Sequence, residues 1–224
     1  MFTPWLAGAS HERFEAEHFQ KAPYSEPGSA LAAMPLMTWD KVAALLAVSP
    51  RPDVIVAKQG RFLEHAEPDS IEAAQALFAA GCSIVLRALE HFDGELRELA
   101  ETFGAGMEGE VTVHSFATPR GAIGFGWHYD CEDVFIAQTA GTKEYYLREN
   151  TVNPRPTRDA MPRDMEYGRE VSPLIRCTLV AGDWLYVPRG WWHMGRGLDD
   201  ALSLSVGVLS PAAAGTAESA PGVS

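Results

Sequence analysis

The sequence has 224 residues, of which 46% are hydrophobic, and this is enough for one globular domain with a sizeable core. Its formal net charge is −12, which argues against nucleic acid as a general partner because phosphate binding requires a basic surface. The three cysteines, Cys82, Cys131 and Cys177, are odd in number and lack metal-type spacing, so a reduced, cytoplasmic protein without a signal peptide is expected. No apolar run approaches the roughly 18 residues that cross a bilayer, and no membrane is expected as a partner.

The first half of the sequence is typical of a helical shell that carries a few strands. Helical periodicity and turn signals predict helices over 11–19, 38–48, 71–80 and 92–103, and strands over 53–58 and 82–86. Ser70 is the expected N-cap of the third helix, because a serine hydroxyl accepts a hydrogen bond from the first free N–H groups. We therefore expect residues 1–110 to surround a core formed by the rest of the chain.

The second half changes to short β-runs separated by closely spaced turns. Strands are predicted over 111–117, 127–137, 143–148, 177–180, 183–187 and 202–209. The long insertion 151–173 contains prolines and an arginine cluster formed by Arg155, Arg158, Arg163 and Arg169. A solvated loop is the favoured interpretation of this cluster, and a surface for an acidic partner is the alternative. The sequence predicts a single mainly β domain over 1–210, with a core from 111 to 210, and a disordered tail over 211–224.

The most informative stretch is Gly-Trp-His-Tyr-Asp, which places His128 and Asp130 two positions apart. On a strand, positions i and i+2 point to the same face, so an imidazole and a carboxylate would converge there. The motif Gly-Asp-Trp-Leu-Tyr-Val-Pro-Arg-Gly-Trp-Trp-His supplies a third donor, His193, beyond a bend at Gly190. Two histidines and one carboxylate are the ligand set of non-haem Fe(II) oxygenases.

A cation follows this stretch at Lys143, on the next predicted strand and 15 positions after His128. A lysine there could face the metal across the sheet and hold an acidic co-substrate. An ordinary hairpin lysine is the alternative interpretation of the same residue.

Together these residues resemble the JmjC-type cupin hydroxylases. The stretch H-Y-D-C-E-D-V-F-I-A-Q-T-A-G-T-K, followed by G-D-W-L-Y-V-P-R-G-W-W-H, is similar to the ribosomal oxygenase branch of that family. The resemblance implies a double-stranded β-helix (jelly-roll) fold with Fe(II) and 2-oxoglutarate. It also implies that His128, Asp130 and His193 hold iron, and that Lys143 and Ser203 bind the distal carboxylate of 2-oxoglutarate.

Two departures from the family pattern stand out. Where the family has Asn and Tyr two residues apart, this sequence has His114 and Phe116, of which only His114 can donate a hydrogen bond to the co-substrate. Ribosomal oxygenases also continue into a dimerisation region and a winged-helix module, whereas this sequence stops soon after its last predicted strand.

The leading hypothesis is a dioxygenase that uses O2 to hydroxylate an unactivated side-chain carbon of a protein or peptide. The alternatives are a hydroxylase of a free small molecule and a non-catalytic metal-binding cupin used for sensing or interaction. The sequence leaves a monomer and a homodimer equally open.

Overall fold

The computed structural model of the chain describes residues 4–6, 8–162 and 167–215. In these residues the α-helices are α1 (Gly8–Arg13), α2 (Trp39–Ala47), α3 (Ile71–Ala79) and α4 (Gly94–Gly106). A π-helical turn covers Phe14–His18, and 3-10 turns cover Leu31–Leu36, Leu89–His91, Arg158–Ala160 and Tyr167–Arg169. The strands are β1 (Tyr24–Glu26), β2 (Asp53–Lys58), β3 (Arg61–Phe62), β4 (Ser83–Arg87), β5 (Glu110–Thr118), β6 (Asp133–Ala140), β7 (Lys143–Arg148), β8 (Ile175–Leu179), β9 (Trp184–Val187), β10 (Trp192–Gly197) and β11 (Ala201–Leu209).

The strands form two antiparallel sheets. The larger sheet has the order β1-β9-β6-β11-β5-β4-β2-β3, and the smaller one has the order β10-β7-β8. The pairing of β4 with β5 and of β1 with β9 joins strands of the first half to the predicted core. The strands of the expected helical shell therefore belong to the larger sheet. The mainly β double-stranded β-helix architecture is confirmed.

The predicted helix starts are set by side-chain caps. Ser70 accepts a hydrogen bond from the N–H of Ala73 at 3.1 Å, and Thr38 caps α2 in the same way through the N–H of Lys41 at 3.2 Å. Each cap satisfies an N–H group that has no partner within its own helix. The hydroxyl groups of Thr38 and Ser70 thus fix where α2 and α3 begin.

The large hydrophobic core lies between the helices and one face of the larger sheet. Phe14, which is fully buried, is surrounded by aromatic rings and meets the ring of Tyr186 edge-on at a centroid distance of 4.9 Å. The N-terminal helix predicted over 11–19 is described as α1 followed by the π-helical turn, and both place Phe14 in this core. Burial of large aromatic side chains is the main stabilising contribution here.

The other face of the larger sheet points towards the smaller sheet. A second, smaller apolar cluster fills one end of this interior, and its buried members are Val134, Ile136, Tyr145, Leu147, Leu179, Leu185 and Val187. The remaining interior positions carry polar or small residues, including Lys143, His193, Ser203 and Gly195. Apolar side chains therefore fill one end of the barrel interior, and polar or small residues line the rest.

The segment that carries the H-x-D motif is not the regular strand that the sequence predicts over 127–137. The strand β6 begins only at Asp133. Upstream of it, His128 forms an isolated bridge with His193 of the smaller sheet, while Asp133 pairs within the larger sheet. The motif thus lies where the chain crosses from one sheet to the other, and this crossing prevents a continuous ladder.

A second correction concerns the segment after Gly190. The sequence predicts a bend that carries Trp191, Trp192 and His193 across the barrel mouth. The structure confirms the bend, with φ +82° at Gly190, but the residues after it form strand β10, which pairs with β7 along its full length. An added Cβ at Gly190 would lie 2.5 Å from the carbonyl oxygen of Pro154, so the turn requires glycine.

The start of the predicted tail contacts the predicted insertion. Residues 211–215, predicted as the start of a disordered tail, form turns in which Ala213 is buried and accepts a hydrogen bond from the N–H of Arg158 at 2.8 Å. Residues 216–224 of that prediction, and Arg163 of the arginine cluster, lie outside the described residues. No helix in the described part of the chain is both long and apolar enough to cross a membrane.

Candidate metal and co-substrate site

Three potential metal ligands converge at the crossing between the sheets. The donor atoms of His128, Asp130 and His193 all lie within 4.8 Å of one another. Asp130 Oδ2 is 3.4 Å from His193 Nε2, and the two imidazole rings have a centroid distance of 4.2 Å. The structure therefore brings together the three residues that the sequence singled out.

Backbone pairing, rather than strand alternation, sets this arrangement. The N–H of His193 donates to the carbonyl of His128 at 2.8 Å, and the reciprocal bond from the N–H of His128 measures 3.2 Å. The N–H of Gly190 donates to the carbonyl of Asp130 at 2.9 Å. These backbone bonds hold the segment 128–130 against the segment 190–193 without the help of an ion.

Both histidines present the same ring nitrogen to the shared centre. Nδ1 of His128 lies 2.8 Å from the carbonyl oxygen of Gly126, and Nδ1 of His193 lies 3.0 Å from that of Trp191. A carbonyl only accepts, so each Nδ1 carries the proton and each Nε2 is left with a free lone pair. Such a second bond from the ring is the usual way in which a protein orients a metal-binding histidine.

His193 stays neutral over the physiological pH range. Burial lowers the pKa of its imidazole to about 4, and the neighbouring His128 adds to the decrease, whereas Asp130 opposes it. A neutral imidazole can ligate a cation, so the environment of His193 suits a metal ligand.

Lys143 is a buried cation inside the barrel. Its residue is 5% exposed, burial lowers its pKa to about 8, and no described carboxylate forms an ion pair with it. Its Nζ lies 5.4 Å from the ring centre of Phe116 and 5.2 Å from that of Tyr145, which are weak cation–π contacts. A lysine buried without an anion is costly, and an anionic ligand would remove that cost.

Gly195 makes room for this lysine. It belongs to β10 and shares a face with His193, and a Cβ added to it would come within 2.7 Å of Lys143 Cε. The lysine side chain therefore passes over the glycine on the same face as a proposed metal ligand. Its positive charge also contributes to lowering the pKa of His193, which is consistent with this proximity.

Ser203 faces the same interior from strand β11, where it lies opposite Phe116 of β5. Its hydroxyl is buried and makes no hydrogen bond of ordinary geometry with the described residues. Burial raises the pKa of the nearby Tyr145 hydroxyl, and Ser203 offsets part of that increase. A buried hydroxyl without a good partner suits a ligand oxygen in this space.

His114 is held as a hydrogen-bond donor. Its Nδ1 accepts the N–H of Ala88 at 3.1 Å, which leaves the proton on Nε2. Burial lowers the pKa of this imidazole, and Arg87 lowers it further, while Asp130 acts in the opposite direction. The neutral ring therefore has an N–H on Nε2, and its pKa is affected by the charge of Asp130 in the ligand set. His114 stands where the family has Asn, and the sequence predicted a hydrogen-bond donor at this position.

A second carboxylate, Glu132, lies near Asp130 and was not among the residues singled out from the sequence. A Cβ added to Gly207 would lie 2.6 Å from Glu132 Oε2, so the glycine accommodates this carboxylate next to Thr112. Burial, together with the charge of Asp130, raises the pKa of Glu132 to about 7. Its position two residues after Asp130 was an available signal, but it matches no family motif.

The insertion also contributes to the site in a way that the sequence did not reveal. The ring of Tyr167 stacks on Trp127, with a centroid distance of 4.1 Å and an angle of 8° between the planes. Trp127 directly precedes His128 in the chain.

Glu170 joins the two ends of the insertion. Its carboxylate accepts hydrogen bonds from Thr151 and from the N–H groups of Val171 and Ser172. Burial alone would raise the pKa of Glu170, but these bonds lower it to about 2.

Known proteins with similar sequences and folds share this architecture. The JmjC domain family matches residues 92–215. A bifunctional lysine-specific demethylase and histidyl-hydroxylase, NO66, from Dictyostelium discoideum is 34% identical over 58% of the chain and 26% of its own length. Ribosomal oxygenase 1 from Gallus gallus is 28% identical over 92% of the chain and 36% of its own length. The chain thus spans about a quarter to a third of these curated relatives.

Solved structures support the same fold. Escherichia coli YcfD superimposes with a TM-score of 0.66 at 21% identity, covering 94% of this chain and 55% of its own. The ribosomal oxygenase YcfD solved with cobalt and 2-oxoglutarate gives a TM-score of 0.62 over 90% of this chain and 52% of its own. Because the family match covers more than half of the sequence and includes all three convergent ligands, the chain belongs to the JmjC domain family.

Proposed function

We propose that this chain is an Fe(II)- and 2-oxoglutarate-dependent oxygenase that hydroxylates an unactivated C–H bond in a protein or peptide side chain. The observation that carries the proposal is the convergence of two imidazoles and a carboxylate in the same barrel interior as a buried lysine without a carboxylate partner among the described residues. The lysine demethylase and histidyl-hydroxylase activities for which NO66 is named, and the 2-oxoglutarate bound to YcfD, support the same activity.

The donor set fits a ferrous ion. His128 and His193 would each offer Nε2 and Asp130 a carboxylate oxygen, and this combination leaves further coordination positions for co-substrate and O2. When bound, iron would activate O2: one oxygen atom would go to the substrate carbon, and the other to 2-oxoglutarate, which would leave as succinate and CO2. The protein itself contributes the fixed ring orientations and the exclusion of water.

Lys143 and Ser203 would hold the distal carboxylate of 2-oxoglutarate. The lysine offers a charge-assisted hydrogen bond in a water-poor interior, where such a bond is stronger than at the surface. Ser203 offers a buried hydroxyl on the facing strand, and the Nε2–H of His114 would donate to the same co-substrate. The aromatic rings of buried Tyr145 and partly exposed Phe116 pack near the lysine Nζ and limit its contact with water.

The substrate is proposed to be a protein or peptide with a basic target residue. Glu132 adds a second carboxyl group beside Asp130, partly ionised at neutral pH because its pKa is about 7, and it forms no ion pair with the described residues. A positively charged side chain would hold it in its ionised form, so the site favours such a side chain. Lysine and histidine, the residues that the name of NO66 gives as its targets, are also basic.

The decisive experiment is mass spectrometry of a peptide library incubated with the chain, Fe(II), 2-oxoglutarate and O2, combined with succinate measurement. The library should pair each peptide that contains lysine, arginine or histidine with a neutral counterpart. We expect succinate release coupled to the gain of one oxygen atom in the basic peptides.

Asp130→Ala should abolish both signals, because it removes the only carboxylate of the ligand set. Asp40→Ala is a matched control, since Asp40 is exposed on α2, and it should leave both signals unchanged. Undiminished succinate in the Asp130 variant would contradict the metal assignment. Binding of the metal without any succinate would favour the non-catalytic cupin.

A further inference from the structure

A polar cavity of about 270 Å³ lies on the outer side of the barrel rim. It is formed where the chain leaves the N-terminal helical turn, where it leaves β7, and where it turns before β10. We call it the rim cavity and define it by Lys21, Glu149, Asn150, Arg155, Arg189 and Trp191. It is separate from the barrel interior, where Lys143 and Ser203 lie.

The charge of the rim cavity is opposite to that of the whole chain. Lys21, Arg155 and Arg189 line it together with one carboxylate, Glu149, which gives three positive charges against one negative, or +2. The chain as a whole carries −12. None of these three cations forms an ion pair with any carboxylate in the described ranges, although Lys21 donates to the carbonyl of Ala16. Three unpaired cations in an acidic protein attract an anion.

Asn150 provides an independent observation in the same place. It is 1% exposed, and its Oδ1 accepts the N–H groups of Val152 at 3.1 Å and Asn153 at 2.8 Å, which fixes the side chain. Its Nδ2 is buried and has no hydrogen-bond partner among the described residues. A buried amide donor without an acceptor is rare in folded proteins, and a ligand oxygen would satisfy it.

Hydrogen bonds fix the two segments that carry Asn150 and Arg189. The carboxylate of Glu170 binds both the N–H and the hydroxyl of Thr151, directly after Asn150. On the other side, Arg189 donates its backbone N–H to Asp133, and Gly190 donates to the carbonyl of Asp130. The side-chain amide of Asn150 and the backbone at Arg189 are therefore held in place before a ligand arrives, which lowers the entropic cost of binding.

We propose that the rim cavity binds an oxyanion, a phosphate or a carboxylate, through Asn150 Nδ2 and the cations of Lys21, Arg155 and Arg189. This proposal does not depend on the proposed oxygenase activity. The turn 189–191 lines the cavity and leads into β10, which carries His193. In this turn the carbonyl of Trp191 accepts a hydrogen bond from His193 Nδ1, and the N–H of Gly190 donates to the carbonyl of Asp130. An acidic residue of a bound peptide would therefore be anchored one turn away from the metal ligands.

The test is an NMR titration of the metal-free 224-residue chain at constant ionic strength, with the side-chain amide signal of Asn150 as the readout. One arm uses inorganic phosphate, the second uses N-acetylaspartate amide, which mimics an acidic side chain, and sodium chloride is the reference. We expect a saturable shift of the Asn150 signal. Saturation with phosphate alone identifies a free phosphate ligand, and saturation with the aspartate compound identifies an acidic side chain.

Arg155→Gln is expected to weaken the binding about tenfold, because one charge-assisted hydrogen bond is lost. Arg158→Gln is the matched control: it changes the net charge equally and lies in the same insertion, but Arg158 pairs with Glu110 at 2.8 Å and does not line the cavity. Equal weakening by both variants would show a general field effect and overturn the site. The absence of a saturable shift in both arms would overturn it as well. Because no arm requires metal or 2-oxoglutarate, this result is independent of the oxygenase test.

Discussion

The two faces of strand β11 show how one buried element serves two purposes. The face towards the helices carries Leu202, Leu204, Val206 and Val208, and all of them belong to the large hydrophobic core. The face towards the smaller sheet carries Ser203, Ser205 and Gly207, which are small. Both faces are buried, but only the first is filled by its own side chains. The difference teaches that the fold concentrates its stabilising burial on one side of the sheet and reserves the other for a ligand.

The strongest way to break this comparison is to remove a side chain from the apolar face. Leu204→Ala should lower the free energy of unfolding by about 2–5 kcal/mol, because it leaves a cavity in a packed core. Urea unfolding followed by circular dichroism measures the change. Leu198→Ala, at an exposed leucine, is the control and should change it by less than about 0.5 kcal/mol. Equal losses in the two variants would contradict the assignment of the core.

The opposite result is expected for the ionised residue of the inner face. Lys143→Met should stabilise the metal-free protein by about 3 kcal/mol at neutral pH, since the pKa falls from 10.5 to about 8 and each pKa unit is worth roughly 1.4 kcal/mol. It should also abolish 2-oxoglutarate binding in calorimetry. Lys58→Met, at an exposed lysine of β2, is the control for both measurements.

The sign of the pH dependence sharpens this prediction. Because the folded-state pKa of Lys143 is depressed, the unfolded chain binds more protons between about pH 8 and 10.5. The destabilisation is therefore complete below about pH 8 and disappears as the pH rises towards 10.5. Subtracting the pH profile of Lys143→Met from that of the wild type should show this rise, and a flat difference would contradict the buried charge.

A smaller effect is expected at the glycine beneath the lysine. Gly195→Ala would place a Cβ 2.7 Å from Lys143 Cε, so the lysine must shift away from its position. We expect 2-oxoglutarate affinity to fall about tenfold, or about 1.4 kcal/mol, while metal affinity is retained. Gly168→Ala, which has open space around its Cβ position, should change neither affinity.

The smallest effect is expected for the serine of the inner face. Ser203→Ala should change the free energy of unfolding by less than about 1 kcal/mol, because the hydroxyl makes no hydrogen bond of ordinary geometry with the described residues. It should still raise the KM for 2-oxoglutarate in the succinate assay without a comparable loss of kcat. Ser205→Ala, one step along the same face, is the control. An unchanged KM in the Ser203 variant would remove this residue from the proposed co-substrate site.

Sequence reasoning recovered the fold class and the residues that converge, but partly for the wrong reason. The strand rule placed His128 and Asp130 on one face, whereas the structure brings them to His193 through a crossing between two sheets. Such a crossing depends on long-range pairing, which local patterns do not contain.

Strand β10 was missed for a related reason. Gly195 and Gly197 are unfavourable in a strand by propensity, but the structure needs both. Gly195 leaves space for Lys143, and a Cβ at Gly197 would lie 2.5 Å from the carbonyl oxygen of Pro119. Close approach between distant parts of the chain overrides the local preference against glycine in strands. The stacking of Tyr167 on Trp127 also joins residues that are far apart in the sequence, so local patterns do not reveal it.

The bridge between His128 and His193 has a thermodynamic consequence. Its two residues come from segments that belong to different parts of the chain, and the third donor, Asp130, stands just before the strand that enters the other sheet. An ion that engages all three donors can do so only when the two sheets are closed on each other. Its binding free energy is then added to the stability of the closed barrel as a whole, so loss of the ion should loosen the sheets together rather than fray one edge.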